Sequence, residues 1–367
     1  MTFLMDWELT MKCNLDCSYC PTDLQEGGHN NSVPHPKLDD CLRSLDFMFE
    51  YVDVYMSTRT KGLKHVVLNV YGGESLYHPN IVEILQAARD RYQTYQNSWT
   101  LTITTTTNAI VSSQQLNKII PLIDEFTVSY HSEASQKQKN QFKQNVLSIS
   151  AANKRIKCVV LMHADPDLFA DSQHMITWLD SNNIRYLPRQ LDHAKEKTEF
   201  NYSTHQVVWF KDLYSSRARS ESTQMPDTAV DHNQNIDLTD TGRACCGGRQ
   251  LCTDSNYKDR NFYVSNKFPG WYCSVNYFFL FVKQVTQEVY VNKDCKMNFD
   301  GTVGPIGSLS DTQAIIDFAK RTDRPTIQCA RYLCRCGLCA PKAADQDIYK
   351  NIMKKYEIPN SNLLQKT

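Results

Sequence analysis

The first 190 residues alternate between two kinds of segment. Short segments rich in β-branched and aromatic residues predict six strands, at residues 6–11, 65–71, 100–106, 125–130, 157–162 and 184–187. Between them, apolar residues recur at helical spacing, for example at Leu42, Leu45, Phe49 and Val52, and at Ile81, Ile84, Leu85 and Ala88. Met175, Ile176 and Leu179 continue this pattern, and Ser172 is expected to cap their helix.

Six strands that alternate with five helices predict parallel β/α units. Right-handed crossovers between such units favour a closed or partly closed barrel. We therefore predict an α/β fold in which residues 1–192 form a partial (β/α)6 barrel, similar to a TIM barrel. An open doubly wound sheet is the alternative, since periodicity alone does not separate the two.

The pattern changes after residue 192. Residues 193–241 are polar and predict a connection with one helix at 205–214. Residues 242–345 are rich in glycine and cysteine, with a hairpin expected at 277–291 and a helix at 311–321, and residues 346–367 form a tail. The apolar content of the second region is thin, so we expect bound metal to stabilise it as a small separate domain.

Composition excludes several classes of protein. Lys plus Arg number 40 and Asp plus Glu also number 40, so the chain has no general attraction to nucleic acid or to anionic membranes. No apolar stretch approaches the roughly 20 residues that span a bilayer, and no basic leader follows Met1. We therefore expect a cytoplasmic protein with no membrane partner, and the neutral charge disfavours a nucleic acid as partner.

The distribution of the fourteen cysteines indicates metal binding. Three lie within eight residues near the start, and nine fall between Cys245 and Cys339. Disulfides are uncommon in a reducing compartment, where clustered thiols more often hold metal.

The first cluster is Cys13, Cys17 and Cys20, directly after the first predicted strand. Three thiolates in one short loop can bind three irons of a cubane cluster and leave the fourth iron open for another ligand. The carboxyl end of a barrel strand is also where such folds place their chemistry. A zinc site on the same cysteines is the alternative.

This cluster resembles the signature of the radical S-adenosylmethionine enzyme family. The match includes gaps of three and two residues between the cysteines, the preceding strand, Asn14-Leu15, and the aromatic Tyr19 before the third cysteine. The resemblance implies a 4Fe–4S cluster that reduces S-adenosylmethionine to methionine and a 5′-deoxyadenosyl radical. That radical then abstracts a hydrogen atom from a substrate.

Further residues extend the resemblance. Gly72, Gly73 and Glu74 follow the second strand, and the equivalent segment of the family meets the amino group of the methionine moiety. Glycines let main-chain carbonyls approach a ligand, and a carboxylate pairs with an ammonium group. Ser129 resembles the position that contacts the ribose, and Asn108 ends the third strand where many relatives have Asn-Gly.

The later cysteines resemble the auxiliary-cluster domains called SPASM and, in shorter form, twitch. The residues that carry this resemblance flank the hairpin or follow the last helix: Cys273, Cys295, Cys329, Cys334, Cys336 and Cys339. The resemblance implies that the first two, with two of the last four, complete one auxiliary 4Fe–4S cluster. A zinc knuckle formed by the last four is the alternative.

A Gly-rich segment carries Cys245, Cys246 and Cys252. These cysteines are candidate ligands of a second auxiliary cluster. Alternatively, one thiol, at Cys246 or Cys252, donates a hydrogen atom to a substrate radical.

The resemblance implies a radical S-adenosylmethionine oxidoreductase or maturase that modifies a ribosomal peptide or a protein, by cross-linking, epimerisation or oxidation. The alternative substrate is a small molecule such as a sugar, cyclitol or amino acid. A reductant such as flavodoxin or ferredoxin is the expected electron donor. RNA modification and a non-catalytic iron–sulfur or zinc protein are the other hypotheses.

Overall fold

The computed structural model describes residues 2–20, 33–58, 65–191, 200–210, 212–213, 270–292, 303–321, 327–328 and 342–355. Among these residues, no helix is long and apolar enough to cross a membrane.

Six parallel strands confirm the predicted barrel. They are β1 (Thr2–Thr10), β2 (His65–Gly72), β3 (Thr100–Thr107), β4 (Glu125–His131), β5 (Arg155–Met162) and β6 (Tyr186–Gln190). They pair in chain order, β1-β2-β3-β4-β5-β6. A doubly wound sheet would reverse its order at a switch point, so the open-sheet alternative is excluded. Among the described strands β6 does not pair with β1, and the barrel is therefore partial.

One helix follows each of the first five strands. They are α1 (Leu38–Ser57), α2 (Ile81–Tyr95), α3 (Ser113–Ile119), α4 (Gln136–Ala151) and α5 (Pro166–Ser181). The apolar faces expected from the sequence are buried: Leu45 and Phe49 of α1 and Ile84 and Leu85 of α2 lie in the main core.

The start of α5 differs from the prediction. Asp165 caps this helix by accepting hydrogen bonds from the main-chain N–H groups of Asp167 and Leu168, and Pro166 occupies the first turn. The predicted cap at Ser172 is wrong, because Ser172 lies inside the helix and its hydroxyl donates to the carbonyl of Leu161. An acidic residue followed by proline is the stronger start signal.

The two faces of the parallel sheet differ in polarity. On β1, Phe3, Met5 and Trp7 pack in the core under the helices, while Asp6 lies on the opposite face, since side chains alternate along a strand. There the amide of Asn69 donates to Asp6 at 2.5 Å, and the hydroxyl of Thr104 donates to Asn69 at 3.1 Å. Barrel interiors are ordinarily filled by branched apolar residues, so this polar inner face is suited to contact a polar ligand.

The predicted hairpin is present and extends the barrel sheet. It consists of β8 (Phe279–Lys283) and β9 (Glu288–Tyr290), with β10 (Gly307–Ser308) beside β9. β8 pairs in parallel with β1, so residues expected in a second domain continue the first sheet. The helix expected next is α6 (Thr312–Ala319), which packs against α1.

A second sheet has three short strands. β7 (Tyr272–Cys273) lies between β11 (Ile327–Gln328) and β12 (Lys342–Ala343), both antiparallel to it. The helix α7 (Gln346–Lys355) follows and lies in the predicted tail. Part of the helix expected in the connection is also present, at residues 204–210.

Candidate functional site

The three clustered cysteines occupy the loop that leaves β1 at its carboxyl end. Cys17 is buried, Cys13 and Cys20 are partly buried, and none of the three forms a disulfide. The loop packs as a small cluster of its own, in which Leu15 and Tyr19 are also buried. The structure therefore places the predicted triad at the end of the barrel where the sequence predicts chemistry.

The segment after β2 holds this loop by its main chain. Gly73 N–H donates to the carbonyl of Thr10 at 2.7 Å, and Glu74 N–H donates to that of Lys12 at 2.9 Å. A Cβ at Gly72 would lie 2.0 Å from the Thr10 oxygen, and one at Gly73 would lie 2.4 Å from the Met11 oxygen. Gly72 also has a φ of +153°, which side chains disfavour. Both glycines are thus required by the close approach of two chain segments.

The carboxylate of Glu74 is buried and fully engaged within the protein. It accepts hydrogen bonds from the Thr107 hydroxyl at 2.7 Å and from the main-chain N–H groups of Asn108 at 2.5 Å and Leu76 at 2.9 Å. Burial raises the pKa of Glu74 to about 7, against the lowering effect of these hydrogen bonds. Glu74 therefore ties the end of β3 to the segment after β2.

Asn108 connects the end of β3 to the cysteine loop. Its amide donates to the Asn14 side-chain oxygen at 2.6 Å and lies 3.9 Å from Cys13 Sγ. Leu15 N–H donates to the same sulfur at 3.4 Å. The following residue, Ala109, has a φ of +54°, in the left-handed region that glycine favours. Ala109 thus adopts the backbone conformation that the glycine of an Asn-Gly pair would adopt at this position.

His131, at the end of β4, contacts two residues of the triad loop. Its Nδ1 lies 2.9 Å from the Tyr19 hydroxyl and 3.3 Å from Cys17 Sγ. The Tyr19 and His131 rings are stacked, with centroids 6.0 Å apart. Burial lowers the pKa of His131 to about 4, so its imidazole is neutral at neutral pH.

Glu133 fixes the middle of the cysteine loop. Its carboxylate accepts from the Ser18 N–H at 2.7 Å and from the Ser18 hydroxyl at 2.5 Å. His163 Nε2 lies 3.8 Å from the same carboxylate. The loop between the second and third cysteines is therefore held by Glu133, just after β4, whereas the segment after β2 holds residues 10–12.

Ser129 lies on the same face of β4 as His131, two residues earlier. Its register partner on β5 is Val159. The hydroxyl is thus on the polar inner face, on the strand whose end reaches the triad. Its contact with a ribose remains a prediction.

Three cysteine thiols are the donor set of an iron–sulfur cluster with one open iron, in which each cysteine binds a different iron. Among the described residues, no three His, Cys, Asp or Glu side chains are placed to share one metal ion. Burial raises the pKa of the Cys17 thiol, and it raises that of Cys13 to about 11. Nearby positive charge would favour the thiolate form of both residues, and iron held by Cys13 and Cys17 would supply it.

Of the later cysteines, the structure describes Cys273. It is buried on β7 in an apolar cluster that includes Tyr71, the residue before Gly72, and Phe281 of β8. The other predicted ligands and hydrogen donors lie outside the described residues: Cys245, Cys246, Cys252, Cys295, Cys329, Cys334, Cys336 and Cys339.

Sequence reasoning assigned no role at the site to His131 or to Glu133. The sequence does place these two residues at the end of β4 and just after it. The ends of parallel strands lie together at one edge of a sheet, so this position indicates that they are near the triad. Their partners lie 112 to 115 residues away in the chain, so local pattern does not indicate the contacts.

Comparison with known proteins identifies the fold. No protein-family model and no curated protein matches this sequence. The crystal structure of Streptococcus suis SuiB bound to S-adenosylmethionine matches with a TM-score of 0.51 and 11% identity, over 86% of this chain and 65% of that one. Native anSMEcpe with bound AdoMet matches with a TM-score of 0.50 and 11% identity, over 86% of this chain and 80% of that one. The chain thus spans about two thirds of the SuiB chain, and it has the fold of these two S-adenosylmethionine-bound proteins.

Proposed function

We propose that this protein is a radical S-adenosylmethionine enzyme. Cys13, Cys17 and Cys20 hold a 4Fe–4S cluster with one open iron, and S-adenosylmethionine binds there. The observation that carries the proposal is the loop of three cysteines at the carboxyl end of a partial barrel, held against the Gly72–Glu74 segment by main-chain hydrogen bonds. The match to two S-adenosylmethionine-bound structures supports it.

When bound and reduced, the cluster supplies one electron to S-adenosylmethionine, which breaks into methionine and a 5′-deoxyadenosyl radical that takes a substrate hydrogen. The chain's own part is to bind and to orient. Leu15 N–H and the Asn108 amide face Cys13 Sγ and stabilise its thiolate. The polar inner face offers Ser129 and its neighbours as contacts for the cosubstrate and substrate.

The contact with the methionine amino group is assigned to the main chain. Glu74 is 1% exposed, and its carboxylate already accepts three hydrogen bonds. We therefore propose that carbonyl groups of Gly72 and Gly73 receive the ammonium group and that Glu74 holds this segment in place. The raised pKa of Glu74 agrees with a carboxyl group that lies away from solvent and from cations.

An auxiliary cluster near Cys273 is the second part of the proposal. The cysteine-rich segment 329–341 begins directly after β11 and ends directly before β12. Both strands pair with β7, in register with Cys273 at Ile327 and at Lys342. The described strands on either side of residues 329–341 therefore both lie beside Cys273. We propose that Cys273 and Cys295 share one cluster with two cysteines of this segment.

The substrate proposed first is a ribosomal peptide or a protein, as the SPASM-like cysteine order suggests; a small molecule is the alternative. A flavodoxin or ferredoxin would supply the electron. We propose that Cys245, Cys246 and Cys252 bind a further cluster. The alternative is that Cys246 or Cys252 donates a hydrogen atom to a substrate radical.

Anaerobic reconstitution with iron and sulfide tests the proposal. With S-adenosylmethionine and dithionite, the protein should form 5′-deoxyadenosine well above a Cys17→Ala variant prepared in the same way. Product at the level of that variant would refute the proposed function. Iron counting in the same samples separates one auxiliary cluster from two, and about four irons in total would exclude both, since a cubane holds four.

Substrate class is tested by hydrogen transfer. Candidate peptides and small molecules are deuterated, and mass spectrometry of the 5′-deoxyadenosine shows which one donates deuterium. Transfer from a peptide supports the first proposal. Transfer from a sugar, cyclitol or amino acid alone would replace it with the alternative.

A further inference from the structure

Two polar side chains meet at the sulfur of one proposed cluster ligand. Burial raises the pKa of the Cys17 thiol, and the Tyr19 hydroxyl, which lies beside Cys17, partly opposes this rise. His131 Nδ1 lies 2.9 Å from the Tyr19 oxygen and 3.3 Å from Cys17 Sγ. Tyr19 is 7% exposed and Cys17 is 5% exposed, so water is largely kept from this group. Side-chain donors are close to Cys17 on this side of the loop.

The chemistry of a ligand thiolate fixes the direction of these hydrogen bonds. A thiolate has no proton and only accepts. The Tyr19 O–H therefore donates to Cys17, and its oxygen is left to accept from His131. His131 must then be the tautomer with its proton on Nδ1, which can donate to Tyr19 or directly to the sulfur. Tyr19 and His131 thus form a donor pair aimed at one sulfur.

We propose that Tyr19 and His131 act as positioning residues that raise the reduction potential of the cluster held by Cys17. This inference rests on the proposed function. Reduction adds negative charge to the cluster, and hydrogen bonds to its sulfurs stabilise that charge more than they stabilise the oxidised form. Low solvent access strengthens the effect. The pair therefore makes the cluster easier to reduce.

The geometry predicts that the two donors substitute for one another. In Tyr19→Phe the ring stays, and His131 at 3.3 Å can donate directly to the sulfur, so the reduction potential falls only slightly. In His131→Leu, Tyr19 keeps its own hydrogen bond to Cys17. The double variant loses both donors, and its potential should fall by more than the sum of the single changes. His131→Asn places an amide donor near the position of Nδ1 and should restore most of the His131→Leu loss.

The experiment is a potentiometric titration of the reconstituted cluster, followed by electron paramagnetic resonance. At a fixed potential, we expect the ratio of reduced to oxidised cluster in the double variant to fall about tenfold. For a one-electron couple, this corresponds to a reduction potential about 59 mV lower than that of the wild type. Tyr130→Phe is the matched control, because it removes a buried hydroxyl on the opposite face of β4, where Tyr130 donates to Asp171 at 2.6 Å. Its potential should equal that of the wild type.

The possible outcomes separate this inference from the proposed function. A double variant with wild-type potential would overturn the inference, even if the wild type cleaves S-adenosylmethionine. If the double variant fails to hold a cluster, the single variants decide: equal potentials in His131→Leu and His131→Asn would overturn it. A wild-type protein that assembles no cluster at the triad refutes the proposed function itself.

Discussion

The two glycines after β2 allow a test of how the cysteine loop is held. The sequence motif suggests that they make room for a ligand, whereas the structure shows them against the main chain of residues 10–12. If the second account is right, Gly73→Ala destabilises the apo protein, with no cluster or cosubstrate present. If the glycines serve only the ligand, the apo protein is unaffected.

The expected cost follows from the contacts. A Cβ at Gly73 would lie 2.4 Å from the Met11 oxygen and 2.6 Å from the Lys12 oxygen, both main-chain atoms that move only with the loop. To relieve these clashes, the segment after β2 must move away from residues 10–12, which strains or breaks the hydrogen bonds from Gly73 to Thr10 and from Glu74 to Lys12. The loss of each hydrogen bond costs about 1 kcal/mol. Overpacking adds about 1–3 kcal/mol. The sum is about 3–5 kcal/mol.

Urea and thermal unfolding of the apo protein measure this cost. Domains of about 150–250 residues lose about 2–4 °C per kcal/mol, and the low end applies to this longer chain, so Tm should fall by roughly 6–10 °C. Gly304→Ala is the control, because a Cβ there meets nothing within 4 Å and its Tm should stay unchanged. A Gly73→Ala protein as stable as Gly304→Ala would refute the close-approach explanation.

Two further predictions concern buried polar groups near the site. The folded pKa of Glu74, about 7, lies above the unfolded 4.5, so Glu74 stabilises the fold most below pH 4.5 and less as the pH rises through 7. The apo stability difference between wild type and Glu74→Gln should therefore shrink by up to about 3 kcal/mol between pH 4 and 8; a constant difference would contradict the pKa assignment. Asn145→Ala removes a buried amide that donates to the carbonyls of Ala109 and Val111 at 2.7 and 2.8 Å, and should cost about 2–4 kcal/mol in urea unfolding. The exposed Asn140→Ala on the same helix should change stability by less than about 0.5 kcal/mol, and equal losses in both variants would show that the two hydrogen bonds do not stabilise the loop.

Local pattern alone predicted the barrel and the place of the triad. Helical spacing identified the buried faces of α1 and α2, and β-branched runs identified all six strands within a few residues. These predictions succeed because the spacing of apolar residues along a helix or strand indicates which of its faces packs against the core. The cysteine loop was predictable for the same reason, since it follows the first strand directly in the chain.

Tertiary structure decided which distant segments meet. The hairpin β8–β9 was predicted, but its pairing with β1 arises from a strand register that no local pattern encodes. The same applies to His131 beside Cys17, because the ends of β1 and β4 come together only when the sheet is assembled. The glycines after β2 were visible as a motif, yet only the fold shows what they touch. The sequence by itself determined the elements and the candidate chemistry, and the long-range packing of those elements determined the surroundings of each sulfur.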